Sequence, residues 1–367
     1  MPADIKLLIF LIKSSAILIL MALFSQSALT AQSFDTGYYS KDCRVASTGL
    51  AIPCGFVGIN TDLAREFEGH CPSRMGLDVP TPNDLAQMNI KWLRQDKGWL
   101  DVLGRKSAAN LGLSEDAGYL RAYGKLAEFK ALGVKVMLVI HGDYYGSATK
   151  LLQAFGPIVD AWQIGNEPDI AISIRGIIPV PQYAADLELA YNEIRTAYVD
   201  YYKSQGIPIS SVQIPPIITA GFASKDPAYF RQVLAQLGTK RPFDGVGVHL
   251  YAVNTTSMNF PFASPPANQQ LKNVVASFYA ASPDHPIWIT EVGLQQGRAR
   301  TDVVKRFMRA AYNDMQAIGN EGIKVANTFW FGWHNVEPHT YGLVELCGQK
   351  KEPEYQEFKN IASEIIQ

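Results

Sequence analysis

The chain has 367 residues, of which 47% are hydrophobic and 18% charged, which gives a sizeable core and excludes a disordered protein. Its 33 basic and 34 acidic side chains leave a net charge of −1, so nothing in the balance draws it to nucleic acid or an anionic membrane surface. Length alone suggests two domains, but an α/β barrel uses about 250 residues or more as one unit.

Residues 1–31 stand apart. Lys6 and Lys13 border apolar runs at 7–12 and 16–24, and a small, polar stretch ends at Ala31. This reads as a secretory signal peptide cut near Ala28 or Ala31. The alternative, a retained N-terminal anchor, has a clean run that is short for a membrane span. Export makes the mature protein secreted or periplasmic, free of the membrane after cleavage. The cysteines Cys43, Cys54, Cys71 and Cys347 all lie in the mature chain, an even number for an oxidising compartment and without the Cys-x-x-Cys spacing of a zinc site. Four cysteines allow three pairings. Cys43 and Cys54 are close in sequence, whereas Cys71 follows the first strand and Cys347 the last, which become neighbours when a barrel closes. The expected disulfides are therefore Cys43–Cys54 and Cys71–Cys347.

After a lead-in segment at 32–54, eight strand-like runs follow at 55–60, 90–94, 134–140, 161–165, 212–219, 244–250, 286–291 and 325–331. Several are continuously apolar rather than alternating, which suits parallel strands buried on both faces. Helical patterns fill most of the gaps. Asp226-Pro227 caps one helix and Gly238 closes it, Thr301-Asp302 opens another, 181–202 is a long amphipathic stretch, and 353–366 is the last helix. No linker, repeat or low-complexity tract breaks the alternation, and no Gly-x-Gly-x-x-Gly supports an open, doubly wound sheet. The expected fold is α/β, a single (β/α)8 TIM barrel over 55–367. Residues 254–268 read as a long loop, a substrate lid or wall, beginning with the sequon Asn254-Thr-Thr256.

In such barrels the reactive groups lie at the C-terminal ends of strands. Those ends carry Arg94-Gln-Asp96, His141-Gly-Asp143, Asn166-Glu167-Pro168, His249-Leu-Tyr251, Thr290-Glu291 and Trp333-His334. Glu167 and Glu291, on the fourth and seventh strands, face each other across the mouth. Cleaving an acetal needs a proton for the leaving oxygen and a carboxylate opposite, where charge develops at the anomeric carbon. A gap of roughly 5–5.5 Å between the carboxyls lets the second attack directly, and one of roughly 6.5–9.5 Å admits a water instead.

The string Trp162-Gln-Ile-Gly-Asn-Glu-Pro-Asp169, with Trp288-Ile-Thr-Glu-Val-Gly293 downstream, resembles clan A of the glycoside hydrolases. Its cellulase-like family 5 adds an Arg on the second strand, a His on the third, His-x-Tyr on the sixth and a Trp on the eighth. Arg94, His141, Asn166, Glu167, His249, Tyr251, Glu291 and Trp333 stand in that order over residues 55–335. Asp169 and the Thr-Glu-Val-Gly form also occur in family 39-like enzymes, so the clan is better marked than the family. The resemblance implies Glu167 as general acid/base and Glu291 as nucleophile of a retaining double displacement. Arg94 and the Tyr251 hydroxyl would keep Glu291 ionised; an ion pair of Arg94 with Asp96 or Asp62 is the plainer reading. The negative Glu291 is expected to raise the pKa of Glu167.

Asn166 is read as a ligand of the sugar's 2-hydroxyl, and His141 and His249 as sugar contacts or satisfied core histidines. Trp333 is read as a stacking platform at the cleavage site. Trp99, Tyr144 and Tyr145 either extend that platform or belong to core and surface. Asn60 and Asp62 are candidate hydroxyl ligands, and Trp162, Trp288 and Trp330 packing residues. No His-x-x-x-His spacing exists and the mechanism is complete without metal, so neither metal nor cofactor is expected. The expected activity is endo hydrolysis of an extracellular β-linked oligo- or polysaccharide by a monomer. The alternatives are transglycosylation at the same site, or a barrel that binds glycan without cleaving it.

Overall fold

Apolar runs that are buried on both sides leave their backbone groups no partner but each other, and here they close into a ring. The computed structural model describes residues 43–61, 80–98, 101, 109, 114–141, 147–171, 176–253, 267–295, 301–333, 341–344 and 350–366. In chain order these form β1 (Cys43–Val45), β2 (Ala51–Ile52), β3 (Val57–Thr61), α1 (Pro82–Gln87), β4 (Trp92–Asp96), α2 (Glu115–Ala131), β5 (Lys135–Ile140), α3 (Ser147–Phe155), β6 (Ala161–Ile164) and α4 (Val180–Ser204). They continue as β7 (Ile217–Phe222), α5 (Ala228–Leu237), β8 (Gly245–Val253), α6 (Ala267–Ala281), β9 (Ile287–Gln295), α7 (Thr301–Asn320), β10 (Val325–Trp330), α8 (Glu352–Ser363) and β11 (Ile365–Ile366). Strands β3 to β10 make a closed parallel barrel, sealed where Thr328 of β10 pairs with Val57 of β3. This is the expected single (β/α)8 barrel.

The interior and the outer shell are separate cores. Trp92, Met137, Ala161, Ile218, Trp288, Ala326 and Phe329 fill the barrel, with Trp92 edge-on to Trp288 at 5.5 Å and to Phe329 at 6.3 Å. Gly58 makes room for this plug, since a Cβ there would lie 2.6 Å from Phe329 Cε1. The opposite strand faces pack against the helices, and fully buried Trp162 and Trp330 belong to that shell.

Local signals place most element ends. Thr81 accepts from Asp84 N while the Asp84 carboxylate accepts from Thr81 N, a capping box that starts α1. The Asp226 carboxylate accepts from Ala228 N at the start of α5, and Gly238 (φ 63°) ends it. Two boundaries differ from the sequence reading. The run at 212–219 becomes a strand only at Ile217, because Pro215 and Pro216 have no N–H to give the ladder. The last helix stops at Ser363, and Ile365 and Ile366 instead pair antiparallel with Val45 and Arg44. The lead-in segment supplies that partner: β1 and β2 form a hairpin, and β11 completes a three-stranded sheet. Isolated two-residue strands are too short to be read from sequence.

The expected Cys43–Cys54 disulfide is present, clamping this hairpin across a Cα–Cα distance of 4.9 Å. Cys71 and Cys347 lie outside the described residues, as do the signal segment and most of 254–268. Closing a loop with a sequence separation of 11 residues restricts the unfolded chain, so a Cys43→Ala/Cys54→Ala variant should lose about 2–3 kcal/mol in denaturant titration. An unchanged midpoint would show that the clamp adds nothing to stability. Among the described residues no helix is long and apolar enough to cross a membrane.

Candidate active site

The mouth of the barrel is built around one buried cation. Arg94, 6% exposed near the end of β4, extends its guanidinium across the barrel and finds four partners on three other strands or their ends. Its Nη1 donates to Glu291 Oε1 at 2.8 Å and to Asn60 Oδ1 at 2.6 Å, its Nε to Gln163 Oε1 at 2.7 Å, and its Nη2 to Asn166 Oδ1 at 2.7 Å. Asn60 is held in turn by Nδ2 donating to Thr290 O at 3.0 Å. A buried charge is tolerated only when it is paired and its donors are satisfied, and this fork meets both conditions. The pairing of Arg94 is with Glu291 rather than with Asp96.

Glu291 owes its direction to a register shift. Val248 of β8 pairs with Ile289 of β9, but the next residue, His249, pairs with Glu291. Thr290 is the extra residue, a bulge that re-aims the following side chain into the mouth. Tyr251, two residues beyond His249, donates its hydroxyl to Glu291 Oε2. With Arg94 on Oε1, both oxygens of this 4%-exposed carboxylate have a donor.

Glu167 comes from the opposite side. Asn166 forms an isolated parallel bridge with Gly221, and Glu167 N donates to Gly221 O at 3.0 Å. Glu167 has φ 48°, a left-handed conformation that is disfavoured for any residue with a Cβ, all the more before Pro168. Strain of this kind, of order 1–3 kcal/mol, collects at functional sites where surrounding bonds over-determine it. Downstream, the Asp169 carboxylate accepts from Ala223 N and Ser224 N and ties the turn to the end of β7.

His249 joins the two acids. Its ring is buried, and Nδ1 lies 2.8 Å from Glu167 Oε1 and 3.4 Å from Glu291 Oε2. One oxygen of each glutamate and one His249 nitrogen all fall within 4.8 Å of one another. Burial, with Arg94 adding to it, outweighs the nearby acids and pushes the His249 pKa down to about 4, so the ring is neutral at neutral pH. Its Nε2 is buried without a hydrogen-bond partner, which fits the tautomer carrying its one proton on Nδ1, donated to Glu167; an orphaned acceptor costs less than an orphaned N–H. Glu167, His249 and Glu291 could also hold a cation, but Arg94 already places a fixed positive charge on Glu291.

The Glu167 pKa is raised by burial, with the Arg94 charge opposing it. The direction is the expected one, but desolvation is the source instead of repulsion from Glu291, because Arg94 stands against that charge. His141 pairs with Asp96 at the neighbouring strand ends. Burial would raise the Asp96 pKa, yet the His141 hydrogen bond and charge, Gly98 N and Arg94 together bring it down.

Arg94, Asn60, Asn166, Glu167, His249, Tyr251 and Glu291 thus share one network, with the His141–Asp96 pair beside it. Trp333 does not join it. Its amide donates to Asn60 O and its carbonyl accepts from Leu343 and Val344, which turns the ring into the outer core, 3% exposed and edge-on to Tyr355 at 5.9 Å. Trp99, Tyr144, Tyr145 and Asp62 lie outside the described residues. Gln163 and Tyr341 are additional members. Gln163 was signalled by being the lone polar residue inside an apolar strand. Tyr341 had no local signal, and its ring lies 5.3 Å from Tyr251.

The His249 ring fits against Gly221. A Cβ there would fall inside van der Waals contact with Nε2 and 2.6 Å from Thr290 Oγ1, and neither neighbour is a flexible chain end. Gly221→Ala should push the ring off the carboxylates and lower kcat by about 10²-fold with the fold retained, as ångström-scale misplacement does. A variant with wild-type kcat and native circular dichroism would mean that the ring need not stay where it sits.

Residues 166–346 match the family model described as the glycosyl hydrolase catalytic core. Solved structures share this (β/α)8 barrel at low identity. A family 39 glycoside hydrolase from the gut symbiont Bacteroides cellulosilyticus WH2 is 15% identical, with a TM-score of 0.52, over 84% of this chain and 63% of that one. This chain therefore spans less than two thirds of that protein. A family 1 β-glucosidase from Thermotoga maritima is 12% identical over 86% and 99% of the two chains, with a TM-score of 0.55. A family 128 (subgroup II) endo-β-1,3-glucanase from Sorangium cellulosum is 15% identical over 83% and 98%, with a TM-score of 0.51. Identities this low carry the fold and not a substrate. No curated protein matches the sequence.

Proposed function

We propose that this clan A barrel is an exported, retaining β-glycoside hydrolase that acts within an extracellular β-linked polysaccharide, with Glu291 as nucleophile and Glu167 as general acid/base. The observation that carries the reading is the approach of the two carboxylates, with an oxygen of each within 4.8 Å and one imidazole N–H between them. An approach this close is nearer the roughly 5–5.5 Å of a retaining pair than the roughly 6.5–9.5 Å that admits a separate water.

In the first step Glu291 attacks the anomeric carbon, the glycosidic C–O bond breaks, and Glu167 delivers its proton to the leaving oxygen. Arg94 holds Oε1, leaving Oε2 on the side where His249 and Glu167 lie. The sugar is then an ester of Glu291. In the second step Glu167, now a carboxylate, takes a proton from water as that water attacks the anomeric carbon and frees Glu291. His249 Nδ1–H can follow Glu167 through both states, and its neutrality keeps a second cation from suppressing the acid form. Export is supported by the Cys43–Cys54 disulfide, which suits an oxidising compartment.

The test is to give the mature protein a panel of β-linked polysaccharides and aryl β-glycosides and read the first product anomer by NMR. Release of the β-anomer supports retention, and first release of the α-anomer would overturn the nucleophile assignment. Viscosity falling ahead of reducing-end release marks endo action, and the reverse order would remove it. Binding without cleavage would favour a glycan-binding barrel. The kcat/KM profile carries a further expectation. Glu167 must be protonated to act, so activity falls as pH rises through its pKa, and burial moves that fall above the usual 4.5 of a glutamate. Glu167→Ala should abolish this alkaline limb and lower kcat by about 10²–10⁴-fold on poor leaving groups. An alkaline limb that survives the substitution would assign the acid elsewhere.

A further inference from the structure

A pyranose has a face of C–H bonds beside its hydroxyls, and a site that holds its anomeric carbon against a carboxylate needs an aromatic surface for that face. The family resemblance gives this task to Trp333, which is buried in the outer core against Tyr355. A different aromatic group stands beside the nucleophile. Tyr251, Phe331 and Tyr341 form a triangle, each pair of ring centroids 5.3 Å apart, with interplanar angles of 57°, 79° and 86°. Such angles make a corner of tilted and edge-to-face rings rather than a stack.

Tyr341 is fixed on three sides while part of its surface stays open. Trp330 Nε1 donates to its backbone carbonyl at 3.1 Å. Its ring rests on Gly293, two residues beyond Glu291, where a Cβ would lie 2.9 Å from Tyr341 Cδ1. Tyr251, whose hydroxyl is on Glu291 Oε2, abuts it. The side chain is half-buried. Burial, together with the negative charges of Glu291 and then Glu167, pushes its pKa up to about 12, which places the phenol in the field of both carboxylates and keeps it un-ionised.

We infer that Tyr341, backed by Phe331 and Tyr251, is the wall against which the reacting sugar ring packs, in the place that the resemblance gives to Trp333. The inference rests on the proposed glycosidase activity. A neutral phenol suits the task, since its ring offers an apolar surface without adding charge beside Glu291. An ionised or basic group there would disturb the acid that Glu167 must remain.

The experiment compares Tyr341→Phe, Tyr341→Leu and Trp333→Leu on an aryl β-glycoside that the wild type cleaves. Leucine keeps most of the apolar volume and folds where alanine would leave a hole, so only the aromatic face is lost. We expect Tyr341→Leu to raise KM by about tenfold, with kcat changed less, and Tyr341→Phe to stay within about threefold of wild type. A structural role alone would lower the melting temperature without separating phenylalanine from leucine in KM. Equal KM values for the two Tyr341 variants would overturn the inference, as would a KM rise that follows Trp333→Leu instead. If the wild type cleaves no member of the panel, the glycosidase reading fails and this inference fails with it, a result distinct from the other two.

Discussion

Replacing Glu291 with glutamine is expected to lower kcat by about 10⁴-fold or more while leaving the protein folded, as loss of a covalent nucleophile does in other enzymes. The amide keeps the shape of the carboxylate and its oxygen can still accept from Arg94 Nη1, whose remaining bonds to Asn60, Gln163 and Asn166 are untouched. The variant therefore loses the attacking charge while Arg94 keeps an acceptor at that position. The Tyr251 hydroxyl, which donates to Oε2, can turn to accept from the new amide. With Glu291→Ala, which opens a space, added azide should restore turnover and give the α-glycosyl azide. Wild-type turnover by Glu291→Gln would remove Glu291 from the mechanism.

The second large effect falls on stability as well as rate. Arg94→Met keeps a long apolar stem but removes the only cation bonded to Glu291 among the described residues. A carboxylate 4% exposed is then left in the barrel without a counter-charge, at a cost of about 3–5 kcal/mol. Asn60, Gln163 and Asn166 each lose a donor at the same time. Denaturant titration should show this deficit at neutral pH. The double variant Arg94→Met/Glu291→Gln should recover part of the loss, since it removes the stranded charge. A double variant less stable than Arg94→Met alone would show that the fork, and not the ion pair, is what Arg94 contributes. Arg94→Lys is expected to fall short in either case, because an ammonium has no planar fork to reach four partners on three strands.

Much of this molecule is legible in its sequence, for a physical reason. A parallel barrel buries both faces of each strand, so its strands appear as unbroken apolar runs such as 134–140, and its helices carry local signals such as Asp226-Pro227 and Gly238. The barrel also fixes where chemistry can be, at strand ends, so Arg94, Asn166, Glu167, His249, Tyr251 and Glu291 could be picked out by position and residue type alone. Their gathering around Arg94 follows from strand order, which the sequence dictates once the ring closes.

What only the tertiary structure decided depends on register and side-chain direction. The bulge at Thr290 that sets Glu291 opposite His249 is a property of two strands together and has no signature in either. The same holds for Trp333 and Tyr341. Both are aromatic residues near the end of the eighth strand, but backbone bonds to Asn60, Leu343 and Val344 turn one into the outer core, while the bond from Trp330 and the bare surface of Gly293 hold the other beside the nucleophile. The raised pKa of Glu167 likewise comes from burial, a quantity that exists only once the chain has folded around it.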